Sequence, residues 1–190
     1  LDGERFAAFL GGCPLVRVPG RVFPVEVAHA VEAPAPREWL EAAVEAVVGV
    51  HRSEPLPGDV LLFVAGQDEC ERACAAINAA VAAAGQDECP DAQCVPLYGA
   101  LPPELQSRIF QPVPEGVRRI VVATNLAETS VTVPGVVHVV DTGRVKQKQY
   151  DPATGLEQLA LVLVSRSQAT QRAGRAGRTQ PGRCLRMYTR

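Results

Sequence analysis

The sequence predicts an α/β domain, a parallel sheet with helices on both faces, carrying one added β-hairpin. Three observations predict it. Apolar runs of four or five residues, short enough for buried central strands, alternate with longer segments of helical periodicity. Strand and helix signals alternate along the chain, as crossover connections in a parallel sheet require. Residues 144–164 break that alternation with two extended segments around Asp151-Pro152-Ala153-Thr154-Gly155, a turn composition.

In chain order, residues 2–10 predict a short helix capped by Asp2, and Pro14–Val18 a buried strand. Pro19-Gly20 breaks the pattern, and Val22–Ala30 predicts a second strand, so this is a plausible crossing point between domains. From Arg37 to about His51 an apolar stripe runs through Leu40, Val44, Val47 and Val48, which reads as a helix buried over much of its surface. Val60–Val64 suits a central strand, followed by an alanine-rich helix from about Asp68 to Ala84. Val95–Leu97 reads as a strand, Pro102–Phe110 as a helix with proline in its first turn, and Arg119–Ala123 and Val136–Val140 as buried strands. The hairpin, a helix near 167–175 and a strand at Cys184–Tyr188 complete the chain. Ligands are expected at the C-terminal strand edges of such a sheet.

With 47% apolar and 21% charged residues, the 190-residue chain suits one globular domain, with room for a fragment of a neighbour. No apolar run approaches the ~20 residues that span a bilayer, and no signal peptide is visible. The chain opens on Leu1 and stops at Arg190 on a strand end, which reads as a piece of something longer. Net charge of −2 conceals an asymmetry: residues 143–190 hold ten Lys/Arg against only Asp151 and Glu157. Such a basic quarter attracts phosphates, although a solvated basic face has the same composition. The six cysteines match no common zinc spacing and have no histidine nearby, so reduced, partly buried thiols are expected. The repeat AGQDEC, at 65–70 and 84–89, carries no assigned function.

The segment QRAGRAGR at 171–178 carries the chemistry. Arg172, Arg175 and Arg178 recur every three residues, a spacing that at a helix entrance brings two guanidinium groups to one face. Gly174 and Gly177 allow a phosphate or another chain close approach. Arginine binds phosphate oxygens bidentately and keeps its charge. A surface arginine helix with salt bridges is the bland alternative; against it, two glycines cost a helix roughly 1 kcal/mol each and the segment contains no acid.

Here the sequence resembles the DEAH/RHA helicases. QRAGRAGRTQPGRC resembles their motif VI, and TNLAETSVTVPGVVHVVDTGRVKQKQYDPATG at 124–155 their motif V with the following strand and hairpin. PLYGALPPELQSRIF at 96–110 resembles motif IVa, LLFVAGQDECE at 61–71 motif IV, and PGRVFPVE at 19–26 the segment joining the two RecA-like domains of the family. The resemblance runs in order over essentially all 190 residues. It implies a second RecA-like domain over residues 20–190, with the hairpin at about 144–164 and residues 1–19 as the tail of a first RecA-like domain plus linker.

The resemblance also implies roles at matching positions. Gln171, Arg175 and Arg178 face the γ-phosphate of ATP held by the other RecA-like domain, the arginines as fingers and Gln171 positioning water or sensing phosphate. Phe110 stacks on adenine, where residues alone would suggest a core helix position, and Thr132 also lies on the nucleotide side. Gly99, Thr124 and Asn125 contact the backbone of single-stranded RNA; from residues alone Thr124-Asn125 is a helix N-cap. Ser130 and Thr132 relay nucleotide state between the two faces. The hairpin, with its basic root Arg144, Lys146 and Lys148, presses on the duplex or the exiting strand. Pro134 stands where the family usually has aspartate and Ala65 where it has threonine, so altered nucleotide affinity is expected.

No G-x4-G-K-[ST] or D-E-x-H segment occurs, so the triphosphate grip and the Mg²⁺ ligands belong to the first RecA-like domain, and this chain alone should be inactive. Expected partners are RNA, that first domain, a C-terminal winged-helix region and activator proteins, with no membrane. The setting implied is intracellular and chiefly nuclear, with nucleolar or cytoplasmic sites open. A non-catalytic nucleic-acid-binding or regulatory fragment is the alternative function, and a DNA-specific helicase a weaker one. A dehydrogenase is excluded, because no G-x-G-x-x-G follows the first strand.

Overall fold

The structure, a computed structural model, describes residues 3–16, 23–35, 37–84, 89–152 and 155–190. Its elements in chain order are α1 (Gly3–Phe9), β1 (Val25–His29), α2 (Trp39–Ser53), β2 (Asp59–Phe63), α3 (Gln67–Ala84) and β3 (Asp91–Leu97). There follow α4 (Pro103–Gln106), a 3-10 turn (Ser107–Phe110), β4 (Val117–Ala123), α5 (Leu126–Thr129) and β5 (Val136–Asp141). The last elements are β6 (Arg144–Asp151), β7 (Leu156–Leu163), α6 (Arg166–Ala173) and β8 (Gly182–Arg186). Six strands form one parallel sheet in the order β1-β8-β5-β2-β4-β3, and β6 and β7 pair separately as an antiparallel hairpin. The predicted α/β class with an added hairpin is the fold found.

Alternation along the strands divides the core between the two faces. On β2, Val60 and Leu62 face α2 and α3, where Leu40, Val47, Cys70 and Ile77 are buried against them. Leu61 and Phe63 face the other way, onto Ile109, Ala127, Val133, Ala173 and Ala176. The first face is closed by two long helices. The second is closed by short helices and turns, which carry Phe110, residues 124–132 and the segment 171–178.

Four expectations need correction. Pro14–Val16 form no strand, and Leu15 and Val16 stay exposed because no sheet neighbour meets them; residues 17–18 lie outside the described residues, as do Asp2, Pro19-Gly20 and residues 153–154 of the hairpin turn. β3 begins four residues earlier than predicted, since an edge strand paired only to β4 tolerates the polar start Asp91–Gln93 and Pro96. The helix expected over 102–110 is one short α-turn followed by a 3-10 turn, where the Ser107 hydroxyl donates to the Glu104 carbonyl. The last helix stops at Ala173, with Gly174 as its C-cap, two residues short of expectation. Its start is held by a capping box: the Ser165 side chain accepts from the Gln168 N–H, and the Gln168 side chain accepts from the Ser165 N–H.

Candidate functional site

The three arginines of QRAGRAGR do not share a face. Arg172, in the last turn of α6, is fully buried: Nε donates to Glu128 (3.2 Å), Nη1 to Asp141 (2.8 Å), and Nη1 also reaches the Arg144 carbonyl (3.3 Å). Its guanidinium lies 4.8 Å from the centroid of the Phe63 ring. Glu128 sits on α5, Asp141 ends β5 and Arg144 opens the hairpin, so one side chain ties α6 to three elements. The segment contains no acid of its own, but acids 44 and 31 residues away in sequence supply the pairing.

Arg175 and Arg178 follow the end of the helix instead of standing on it. Arg175 is 8% exposed and donates to the Val131 carbonyl at 3.2 Å; Arg178 is exposed and donates to the Thr132 hydroxyl. Neither makes an ion pair among the described residues. Burial first, and then the neighbouring Arg178 cation, hold the Arg175 guanidinium below the usual arginine range. Two such cations near each other repel, and a bound anion would relieve that repulsion. Gln171 is half-buried one residue before Arg172. Close approach at Gly177 comes from this same chain: a Cβ there would lie 2.5 Å from the Phe23 carbonyl, and the Phe23 N–H donates to the Gly177 carbonyl. Gly174 has only ordinary contacts around it.

The loop that meets both arginines also forms one wall of a cleft of about 400 Å³, lined by Leu97, Ile109, Phe110, Ser130, Val131 and Thr132 among others. Phe110 is 59% exposed, so it is no core residue; Ile109 beside it takes the buried place. An apolar cleft with an exposed ring at one end and arginines beyond the Thr132 hydroxyl suits a molecule with one flat aromatic part and one anionic part. The structure therefore brings together Phe110, Thr132, Arg175 and Arg178.

Gly99, Thr124 and Asn125 form a second group. The Thr124 N–H donates to the Leu97 carbonyl (3.1 Å), setting the C-terminal ends of β3 and β4 side by side. Gly99 and Asn125 are exposed, and nothing stands within 4 Å of where a Gly99 Cβ would be. Capping is weak: Asn125 makes no side-chain cap, and Thr124 Oγ1 lies 3.5 Å from the Leu126 N–H. Exposed Ser130 stands at the end of α5, on the chain between the two groups. Two cations at the basic root of the hairpin are ion-paired, Lys146 with Glu69 and Lys148 with Glu157, and Arg144 lies over the Trp39 ring.

All six cysteines are free, and no three His, Cys, Asp or Glu side chains gather as metal ligands among the described residues. Burial raises the Cys70 and Cys184 thiols, and a hydrogen bond with Cys74 followed by burial raises Cys94, so these thiols stay protonated. The first AGQDEC copy opens α3; residues 85–88 of the second lie outside the described residues. No described helix is long and apolar enough to cross a membrane. Sequence reasoning missed Asp59, Arg119, Glu128 and Asp141. The available signal was two consecutive arginines, Arg118-Arg119, entering an otherwise apolar strand.

Strand order, helix placement and the arginine-bearing turn define a RecA-like helicase domain. The profile described as helicase conserved C-terminal domain matches residues 41–180. The chain is 46% identical over 189 residues to the pre-mRNA-splicing factor ATP-dependent RNA helicase prp22 of Schizosaccharomyces pombe, covering 100% of this chain and 16% of that protein. Two crystal structures of HrpB from Escherichia coli, one described as a DExH-box NTPase and one as a DEAH/RHA helicase, superpose with TM-score 0.87 at 37% identity. They cover 100% of this chain and 22% and 23% of theirs. The chain belongs to the helicase conserved C-terminal domain family, as a second RecA-like domain of the DEAH/RHA type.

Proposed function

We propose that this domain is one half of the motor of an ATP-dependent RNA helicase, which couples ATP hydrolysis to translocation on single-stranded RNA and remodelling of duplexes and ribonucleoproteins. One observation carries the reading: a single loop, residues 130–132, joins the aromatic cleft of Phe110 to Arg175 and Arg178. ATP would lie with its base against Phe110, its ribose near Thr132 and its γ-phosphate toward Gln171, Arg175 and Arg178. The rest of the triphosphate site belongs to a first RecA-like domain, where Mg²⁺, when bound, neutralises phosphate charge.

In this reading the two arginines stabilise charge that spreads over the transferred phosphoryl group, worth roughly 10³–10⁵ in rate in such enzymes. Gly99, Thr124 and Asn125 supply small, sequence-independent donors to RNA phosphates. Ser130 lies on the chain between Thr124-Asn125 and Thr132, so domain closure on ATP would be felt at the RNA face. Residues 1–19 are read as the tail of the first domain and 20–190 as the second. The exposed Phe6, Phe9 and Leu10 suit packing against another body. The splicing role in the yeast relative's name supports a nuclear setting.

The test uses the full-length protein. Arg175→Ala and Arg178→Ala should each lower ATP turnover by about 10³ or more, with RNA affinity retained. Thr124→Ala should weaken RNA binding or its stimulation of turnover. Unchanged turnover in both arginine variants would show the site assignment to be wrong. Competition between RNA and DNA strands separates the RNA reading from a DNA helicase. Hydrolysis by residues 1–190 alone would contradict the division between the two domains.

A further inference from the structure

We infer that Arg119 is the positioning residue of the nucleobase cleft, clamping its two walls at a fixed separation. This deepens the nucleotide reading and rests on it.

Arg119 enters β4 with 7% of its surface exposed, and its fork uses all five N–H donors. Nε and Nη2 donate to Asp59 Oδ2 at 2.9 and 2.6 Å. Nη1 donates to the carbonyls of Ile109 and Gln111, and Nη2 also donates to the carbonyl of Pro134 at 3.0 Å. The first two carbonyls flank Phe110 on either side. The third lies two residues after Thr132. One planar group thus holds the segment bearing the ring and the segment bearing the opposite wall.

The walls need such a clamp. Phe110 ends a four-residue 3-10 turn that follows a four-residue α-turn, and elements this short do not hold themselves. A cation on the last carbonyls of a helical turn is a favourable capping arrangement. Asp59 fixes the fork from behind, with its second carboxylate oxygen accepting from the Arg119 backbone N–H at 3.2 Å. Close packing of that pair also accounts for Gly135, which has φ +77° and where a Cβ would stand 2.8 Å from Asp59 Oδ2. Lysine could keep the ion pair with Asp59. Its single ammonium cannot serve the carboxylate and three carbonyls from two sides of the cleft.

The full-length protein is assayed for its KM for ATP and for inhibition by inorganic tripolyphosphate, which offers phosphates without a base. Arg119→Lys should raise the KM for ATP about ten-fold, the scale of one base–aromatic stack. The Ki of tripolyphosphate should stay within about two-fold, because Arg175 and Arg178 are untouched. Phe110→Ala should behave alike, and the double variant should be no worse than Phe110→Ala alone. A merely structural arginine would weaken ATP and tripolyphosphate together, or lower only the melting temperature, and either result overturns the proposal. If Phe110→Ala raises the KM while a folded Arg119→Lys does not, positioning by Arg119 is refuted and the cleft reading stands. If Phe110→Ala leaves the KM unchanged, the cleft reading fails and takes the proposal with it. Should Arg119→Lys not fold, Asp59→Asn, which loosens the fork from behind, must shift the KM for ATP and spare tripolyphosphate, or the proposal is overturned.

Discussion

Removing Arg172 should damage the fold far more than removing either neighbouring arginine. Arg172→Met keeps much of the side-chain volume but strands two carboxylates, Glu128 and Asp141, whose side chains are 6% and 0% exposed. Hydrogen bonds to charged groups contribute ~1.5–3 kcal/mol each, and breaking one partner from a buried ion pair costs ~3–5 kcal/mol. The larger figure governs here, because the stranded acids cannot reach water without opening α5 or the end of β5. For a domain of this size each kcal/mol moves the melting temperature by roughly 2–4 °C, so a loss of about 6–20 °C is expected. Thermal unfolding followed by circular dichroism on residues 1–190 measures it, with Arg178→Ala as the exposed control, expected within about 1–2 °C. Adding Glu128→Gln to Arg172→Met should recover part of the loss, because one stranded charge is then gone. Equal melting temperatures for Arg172→Met and Arg178→Ala would refute the reasoning, since burial and pairing would then have no energetic weight.

Three further outcomes follow from particular contacts. Gly177→Ala should destabilise by about 1–3 kcal/mol, because a Cβ 2.5 Å from the Phe23 carbonyl overpacks the chain where it enters β1; a melt matching the parent contradicts this. Burial chiefly, and then the Arg118 cation, hold His51 and His138 below their ordinary value of 6.5. Depressed histidines stabilise the fold above that value and lose the contribution as pH falls from it through their folded values, so melting temperature should be level above about pH 7 and drop as pH falls below 6.5. His138→Gln should flatten that drop, and an unaltered slope would remove His138 from the account. Pro134→Asp keeps the carbonyl that Arg119 holds and adds a carboxylate at an exposed position beside the cleft, so nucleotide Kd in the full-length protein should change by roughly two- to ten-fold. An unchanged Kd shows that the residue has no part in binding.

Legibility in the sequence followed how local each cause was. The central strands β2, β4 and β5 came out nearly at their observed limits because both their faces are buried and the residues run apolar without a break. Edge strand β3 was half hidden, since its first residues are polar and only pairing to β4 marks them as strand. The segment 171–178 was found from its own composition, but the close approach at Gly177 is made by Phe23 of this same chain, where a phosphate or another chain was expected, and Gly174 has only ordinary contacts. Its internal division was unreadable. Whether an arginine is buried or presented depends on acids 31 and 44 residues away, and no spacing rule inside eight residues contains them.

That division lets one octapeptide be an anchor and also, in the proposed function, a contact. A free arginine carries about 2 kcal/mol of rotamer entropy, which a phosphate contact must overcome unless the side chain is already ordered. Arg172 fixes the last turn of α6 to α5, β5 and the hairpin root, and the Arg175 N–H then bonds back to the Arg172 carbonyl at 3.1 Å. Arg175 is tied in turn to Val131, and Arg178 to Thr132, so both guanidinium groups are held before any ligand arrives. The three-residue spacing therefore does not place three equal cations on one face. It buries Arg172 between acids that neutralise it, and leaves the buried Arg175 and the exposed Arg178 without an ion pair among the described residues, which is the pair of cations the proposed phosphate contact would use.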